Sequence, residues 1–117
     1  MTILERLKEL IEIDVAEEIF DVQLLQYVNM GLRYLANNAI PVGVATELTA
    51  FEDFDKLREG DWNIVLAWLH LYVIDRFDSI SANSNSRGST AWQTWLSEDM
   101  ADKLYQLKTF YDRGSAA

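Results

Sequence analysis

Apolar residues recur along this chain at three- and four-residue steps, the spacing that gathers side chains on one face of an α-helix. Ile3, Leu4, Leu7, Leu10 and Ile11 make the first stripe, with Glu5, Arg6, Lys8, Glu9 and Glu12 outside it. Thr2-Ile3-Leu4-Glu5 has the form of a capping box, in which the Thr oxygen accepts an amide proton and the Glu reaches back to the cap. The pattern predicts a helix over residues 3–13. Asp14 is placed to cap a short turn. Asp21 is placed to cap the next helix, whose stripe of Leu25, Val28, Leu32 and Leu35 is widened by Leu24, Tyr27, Met30 and Tyr34. A stripe that broad predicts neighbours on more than one side. Gly31 lies inside it at a cost of about 1 kcal/mol against alanine, which points either to close approach of another backbone or to a kink. Asn37-Asn38-Ala39-Ile40-Pro41 ends the helix near Asn37, because a residue before proline is pushed out of helical geometry.

Thr49-Ala50-Phe51-Glu52 repeats the capping pattern and Gly60 is a stop, so a short helix is expected over 50–58. Asp61 then caps a central helix, Trp62 to Phe77, apolar nearly all round and hence the core element. Residues 79–90, SISANSNSRGST, are rich in side chains that bond their own backbone and predict a mobile loop. Thr90-Ala91-Trp92-Gln93 is a third capping pattern. Beyond it Trp92, Leu96, Met100, Leu104, Leu107 and Tyr111 line up over a last helix at 91–112, with Lys108 and Arg113 suited to its negative end and Gly114 to its closure. The expected fold is all-α, a small bundle of four main helices plus one short helix. Residues 1–114 form one helical domain and 115–117 a flexible tail. Leu25, Val28, Leu32, Leu66, Leu69, Val73, Leu96, Met100 and Leu104 are the expected core. A stub at Val42–Val44 is the one candidate for extended pairing.

Composition narrows function more than fold. Half of the 117 residues are apolar, including four Trp, five Tyr and five Phe, enough to fill one core. With no cysteine, disulfides, thiolate nucleophiles and Cys-bearing zinc sites are excluded. A net charge of −9 repels phosphate backbones and anionic lipid, which disfavours nucleic-acid and membrane-surface binding. The longest apolar run, Ile64 to Ile74, is broken by His70 and falls short of the ~20 residues that span a bilayer. The first helix, with its charges set among leucines, lacks the uninterrupted apolar stretch of a secretory signal.

Candidate chemistry is sparse. His70 is the only histidine, set among Trp68, Leu69, Leu71 and Tyr72, and reads as a packed core or interface residue before a general base. The five glycines are isolated, so no phosphate loop forms, and HExxH is absent. Acid pairs at helical spacing do exist: Glu9/Glu12, Glu18/Asp21, Glu52/Asp55 and Asp75/Asp78. All-α Mg²⁺-dependent nucleotide phosphohydrolases use paired acids of this general kind, which makes such an enzyme the alternative. In this chain no pair is joined by a base or a cationic stabiliser, so no catalysis, no cofactor, no metal and no small-molecule substrate are expected. Asp75-Arg76 reads either as a local ion pair or as a contact to a neighbouring subunit. Trp92 belongs to the core stripe of the last helix, whereas Trp95, about 60° off it, divides between core and interface anchor. Tyr111 and Arg113 border the tail and complete the candidate interface set with Arg76, Trp92 and Trp95.

The segments LKELIEIDVAEEIFDVQLLQYVNMGLRYLANNAIP and WNIVLAWLHLYVIDRFDSISANSNSRGSTAWQTWLSEDMADKLYQLKTFY resemble the two halves of the head–tail connector, or adaptor, proteins of tailed phages and prophages. The shared features are acids between the first two helices, a Leu/Tyr/Val-rich second helix, an apolar helix ending in an Arg-Phe-Asp turn, a Ser-rich link and a Trp-containing last helix. The chain departs from the family in lacking prolines after Phe77-Asp78 and in a longer 79–90 link. The resemblance implies a virion part made in the bacterial cytoplasm: a homo-oligomeric ring that meets the portal and the stopper or tail proteins. DNA passes through its channel without specific binding. An acidic inhibitor that mimics DNA is a further alternative, and would show its acids as a regular double row.

Overall fold

In the computed structural model, which describes the backbone of residues 1–81 and 90–116 and the side chains of residues 1–76 and 97–111, the Thr2 capping box closes as its sequence dictates. Thr2 Oγ1 accepts from the Glu5 amide at 3.1 Å and Glu5 Oε1 accepts from the Thr2 amide at 2.9 Å. The Thr2 amide bond to the carboxylate is the main reason the Glu5 pKa is lowered. Helix α1 spans Ile3–Leu10 and buries Ile3, Leu4 and Leu7. It ends three residues before the expected Ile13, because Glu12 turns left-handed at φ 63°. The Ile13 amide then donates to the Lys8 carbonyl and the Glu12 amide to Glu9, which is a Schellman closure.

Helix α2 spans Asp21–Asn37. Phe20, not Asp21, is its cap residue and makes no side-chain capping hydrogen bond, while the Asp21 carboxylate is paired with Lys8. The far end repeats the closure of α1. Ala39 takes φ 72°, the Ile40 amide donates to Leu35 and the Ala39 amide to Ala36, and Pro41 prevents continuation.

The expected helix over 50–58 is a correction. Only a 3-10 turn forms at Phe51–Asp53, followed by a second at Glu59–Asp61. The Thr49 hydroxyl faces back to Thr46, and Asp53 Oδ2 takes the Ala50 amide, so the Thr49–Glu52 box does not close. Phe51, Phe54 and Leu57 all sink into the core from this irregular segment. Among the described residues there is no strand, the Val42–Val44 stub included.

Helix α3, Trp62–Ser81, is the central element and buries Val65, Trp68, Leu69 and Val73. It continues past Phe77, so residues 79–81 of the expected loop are helical; residues 82–89 lie outside the described part. Helix α4, Thr90–Ala116, runs through Gly114, which does not close it. Val28, Leu32, Leu69 and Val73 are core residues as expected, while Leu25, Leu66, Met100 and Leu104 pack on the core partly buried. The Leu96 side chain lies outside the described part. Gly31 marks the α2–α3 crossing: a Cβ there would stand 2.9 Å from Leu69 Cδ2 and 3.2 Å from Trp68 Cζ3. Of the two readings, close approach holds, though to side chains and not to backbone.

Candidate interaction surfaces

Among the described residues, two open apolar surfaces stand out once the core is filled. The larger is a groove of about 790 Å³ on the outer side of α2, lined among others by Val22, Leu25, Met30, Arg33, Val42 and Val44. Val22 and Val44 are more than 70% exposed, so the surface is apolar and uncovered at once. Its far wall is positioned by Asn29. The Asn29 amide donates to the Ala45 carbonyl at 2.9 Å and its oxygen accepts from the Ala45 amide at 2.7 Å. A side chain thus pairs with loop backbone as a neighbouring strand would, and Ala45 is buried behind Val44.

At the start of α2, one residue before Val22, the Asp21 carboxylate pairs with Lys8. This ammonium is 2% exposed and donates to the carbonyls of Val15 and Glu17, at 3.3 and 2.7 Å, while paired with Asp21. The acid-rich 11–20 segment is thereby wound around a buried cation at the start of α2. Asp14 turns it as expected, its carboxylate accepting from the Ala16 amide at 3.0 Å.

The second surface is a cleft of about 350 Å³ where Tyr34 and α3 face the middle of α4, lined by Trp68, Tyr72, Arg76, Met100 and Leu104. Tyr34 stacks on Trp68 with ring centroids 5.5 Å apart, and Trp68 on Tyr72 at 5.2 Å. The Arg76 guanidinium lies 3.6 Å above Tyr72 and 3.7 Å from the Asp75 carboxylate. Arg76 therefore carries the local ion pair and caps an aromatic ladder at the mouth of the cleft.

Tyr111 faces inward. Its hydroxyl donates to Asp61 Oδ2 at 2.6 Å and accepts from the Arg58 amide at 3.0 Å, and Arg58 also bonds the Asp61 carboxylate. Burial, then the Asp61 bond, raises the Tyr111 phenol above its ordinary pKa; the Asp61 bond raises Arg58. Asp61 spends its carboxylate on this tie to α4. The Arg58 guanidinium covers the Phe110 ring at 3.2 Å. Trp92, Trp95 and Arg113 have side chains outside the described part.

Sequence reasoning passed over Lys8, Asn29 and Arg58. Lys8 reads as a solvent-facing charge opposite the leucine stripe, and nothing local to Asn29 or Arg58 announces partners 16 and 53 residues away. Among the described residues no group of three or more His, Asp or Glu side chains gathers where a metal could be held, and no helix is long and apolar enough to cross a membrane. His70 is half-buried on α3, and burial lowers its pKa.

Against known proteins, a family model described as phage connector protein matches residues 3–114. No curated protein and no solved structure matches the chain.

Proposed function

Because this chain belongs to the phage connector protein family, we propose that it assembles as a ring of identical copies between the portal and the stopper or tail proteins, with DNA passing through the channel. Membership makes it a structural connector of the virion that contacts other phage head or tail proteins. The ring, its neighbours and its channel are the finer reading. What supports them is the uncovered apolar groove on α2: a single copy leaves Val22, Met30 and Val44 in water, and a protein partner removes that cost. The acidic surplus lets DNA slide through a channel without sticking. Arg76 on α3 and Trp92, Trp95 and Arg113 on α4 are proposed contact positions. Tyr111 serves them by holding α4 down.

Sedimentation of the chain, alone and with the portal protein of the same phage, tests this. The expected result is a closed oligomer or a stable complex, weakened by Trp95→Ala with the domain still folded. Absence of both species for the wild type would refute the ring. Assembly unchanged by Trp95→Ala would remove that residue from the contact. Incubation with nucleotides and Mg²⁺ is expected to give no hydrolysis; turnover lost in Asp75→Asn would overturn the structural reading.

A further inference from the structure

All 19 acids of the chain lie outside residues 22–46, where Arg33 is the only charged side chain. Copies of a chain with net charge −9 repel one another wherever acidic faces meet, so the least costly place for self-contact is this acid-free segment. The groove on α2 is cut into it. Arg33 lines that groove, is exposed, and has no carboxylate partner among the described residues.

Helix α4 carries the complementary surface. At about 100° per residue, Glu98, Asp102, Tyr105 and Thr109 fall on one stripe, opposite the face that seats Met100, Leu104, Leu107 and Tyr111. Tyr105 is 70% exposed, and Glu98 and Asp102 are exposed beside it. An exposed aromatic ring with Asp102 one turn before it fits an apolar groove bearing one unpaired guanidinium. The same spacing turns the groove face of α2 well away from Leu24, Val28 and Leu35, which face the core. Groove and stripe thus point outward from different sides of the fold, the arrangement that a head-to-tail contact needs and a two-fold contact does not.

We propose that the α2 groove of one copy receives the Glu98–Thr109 stripe of α4 from the next copy, with Tyr105 entering between Met30 and Val44 and Asp102 meeting Arg33. This rests on the ring reading above and names the surface through which the ring closes.

The test uses the full chain, which has no cysteine of its own. A variant carrying both Val44→Cys and Tyr105→Cys is expected to give a ladder of disulfide-linked multimers on mild oxidation, and each single variant no ladder. Arg33→Glu and Asp102→Arg should each weaken self-association by about tenfold or more, and the double swap should restore it, with circular dichroism showing every variant folded. Wild type that self-associates while neither swap weakens it would overturn the interface and leave the ring standing. Dimers from Val44→Cys alone would mean a face-to-face contact and overturn it equally. If Arg33→Glu loses the portal protein but not self-association, the groove belongs to that partner and the proposal falls. Wild type that stays monomeric, alone and with the portal protein, removes the ring reading and this inference with it.

Discussion

Helix α2 sinks Leu24, Val28, Gly31, Leu32 and Leu35 into the fold, whereas the described side chains of α4 bury only Leu107 and Tyr111. Both lean on α3, by different means. The α2–α3 crossing is a steric fit around a glycine, with Trp68, Leu69 and Tyr72 against the missing Cβ. The far end of α4 is held by a polar tie in which one buried carboxylate serves a phenol and a guanidinium. Steric fits fail when atoms are added or removed; polar ties fail when one partner is lost and the other stays desolvated. The two sides of the molecule are therefore sensitive to different substitutions and to different solution conditions.

The largest effect is expected at the steric side. Leu69→Ala opens a cavity at the crossing and should cost ~2–5 kcal/mol in denaturant unfolding; a loss below half a kcal/mol would mean that the crossing is not the core. Gly31→Ala should also destabilise, by about 1–2 kcal/mol, the overpacking outweighing the better helix propensity of alanine. A neutral result would show that Leu69 yields.

At the polar side, Asp61→Asn should cost about 1–3 kcal/mol. Hydrogen exchange should quicken in the C-terminal half of α4 well before α2; uniform quickening would erase the contrast between the two helices. The tie also carries a pH signature. Folding raises the Tyr111 phenol, so the stability it brings is fully present below the free phenol range, ~10, and is lost as pH rises through the folded value. Tyr111→Phe should be less stable near neutrality yet lose less on going to alkaline pH, and parallel titration curves for the two proteins would exclude that linkage. His70 acts in the other direction, being lowered by burial. Its contribution is present above pH ~6.5 and fades as pH falls through the folded value, so the acid limb of unfolding should flatten in His70→Gln.

Smaller effects sharpen the picture on the groove side. Asn29→Ala removes both bonds to Ala45 and should cost about 1–2 kcal/mol, with exchange rising at residues 42–46 alone. Glu12→Gly and Ala39→Gly relieve left-handed backbones and should each stabilise by about 0.5–1 kcal/mol, read as a rise in the unfolding midpoint. Destabilisation by either would mean that the side chain there does more than tolerate its φ.

What was legible in the sequence follows from how local each signal is. The Thr2–Glu5 box, the reach of α2 from residue 21 to 37 and the start of α3 after Asp61 are set within a few residues, and the structure agrees. The same local reading predicted a helix over 50–58, but its capping residue is diverted: the Thr49 hydroxyl turns back to Thr46 and Asp53 takes the Ala50 amide. Gly114 misled similarly, for a glycine stops a helix only when the chain must turn. Residues binding across distance were invisible. Lys8 lies among solvent-facing charges on the wheel yet is buried by a segment that folds back over it, and Asp61 reads as an N-cap while its partner Tyr111 is 50 residues on. The groove was hidden for a related reason. Met30 widens the α2 stripe as though a neighbour covered it, and within one chain it stays about half exposed.

The stack of Tyr34, Trp68 and Tyr72 has a spectroscopic consequence. Trp68 is held between two phenol rings, at 5.5 and 5.2 Å, and is 2% exposed. An indole fixed in that chiral setting contributes near-ultraviolet circular dichroism, and the part that comes from Tyr34 is lost when α2 and α3 leave register. A state that keeps its far-ultraviolet helix signal but loses the near-ultraviolet band has let the crossing loosen with the helices intact. A change in that band between wild type and a surface variant reports that the variant has disturbed packed aromatic side chains.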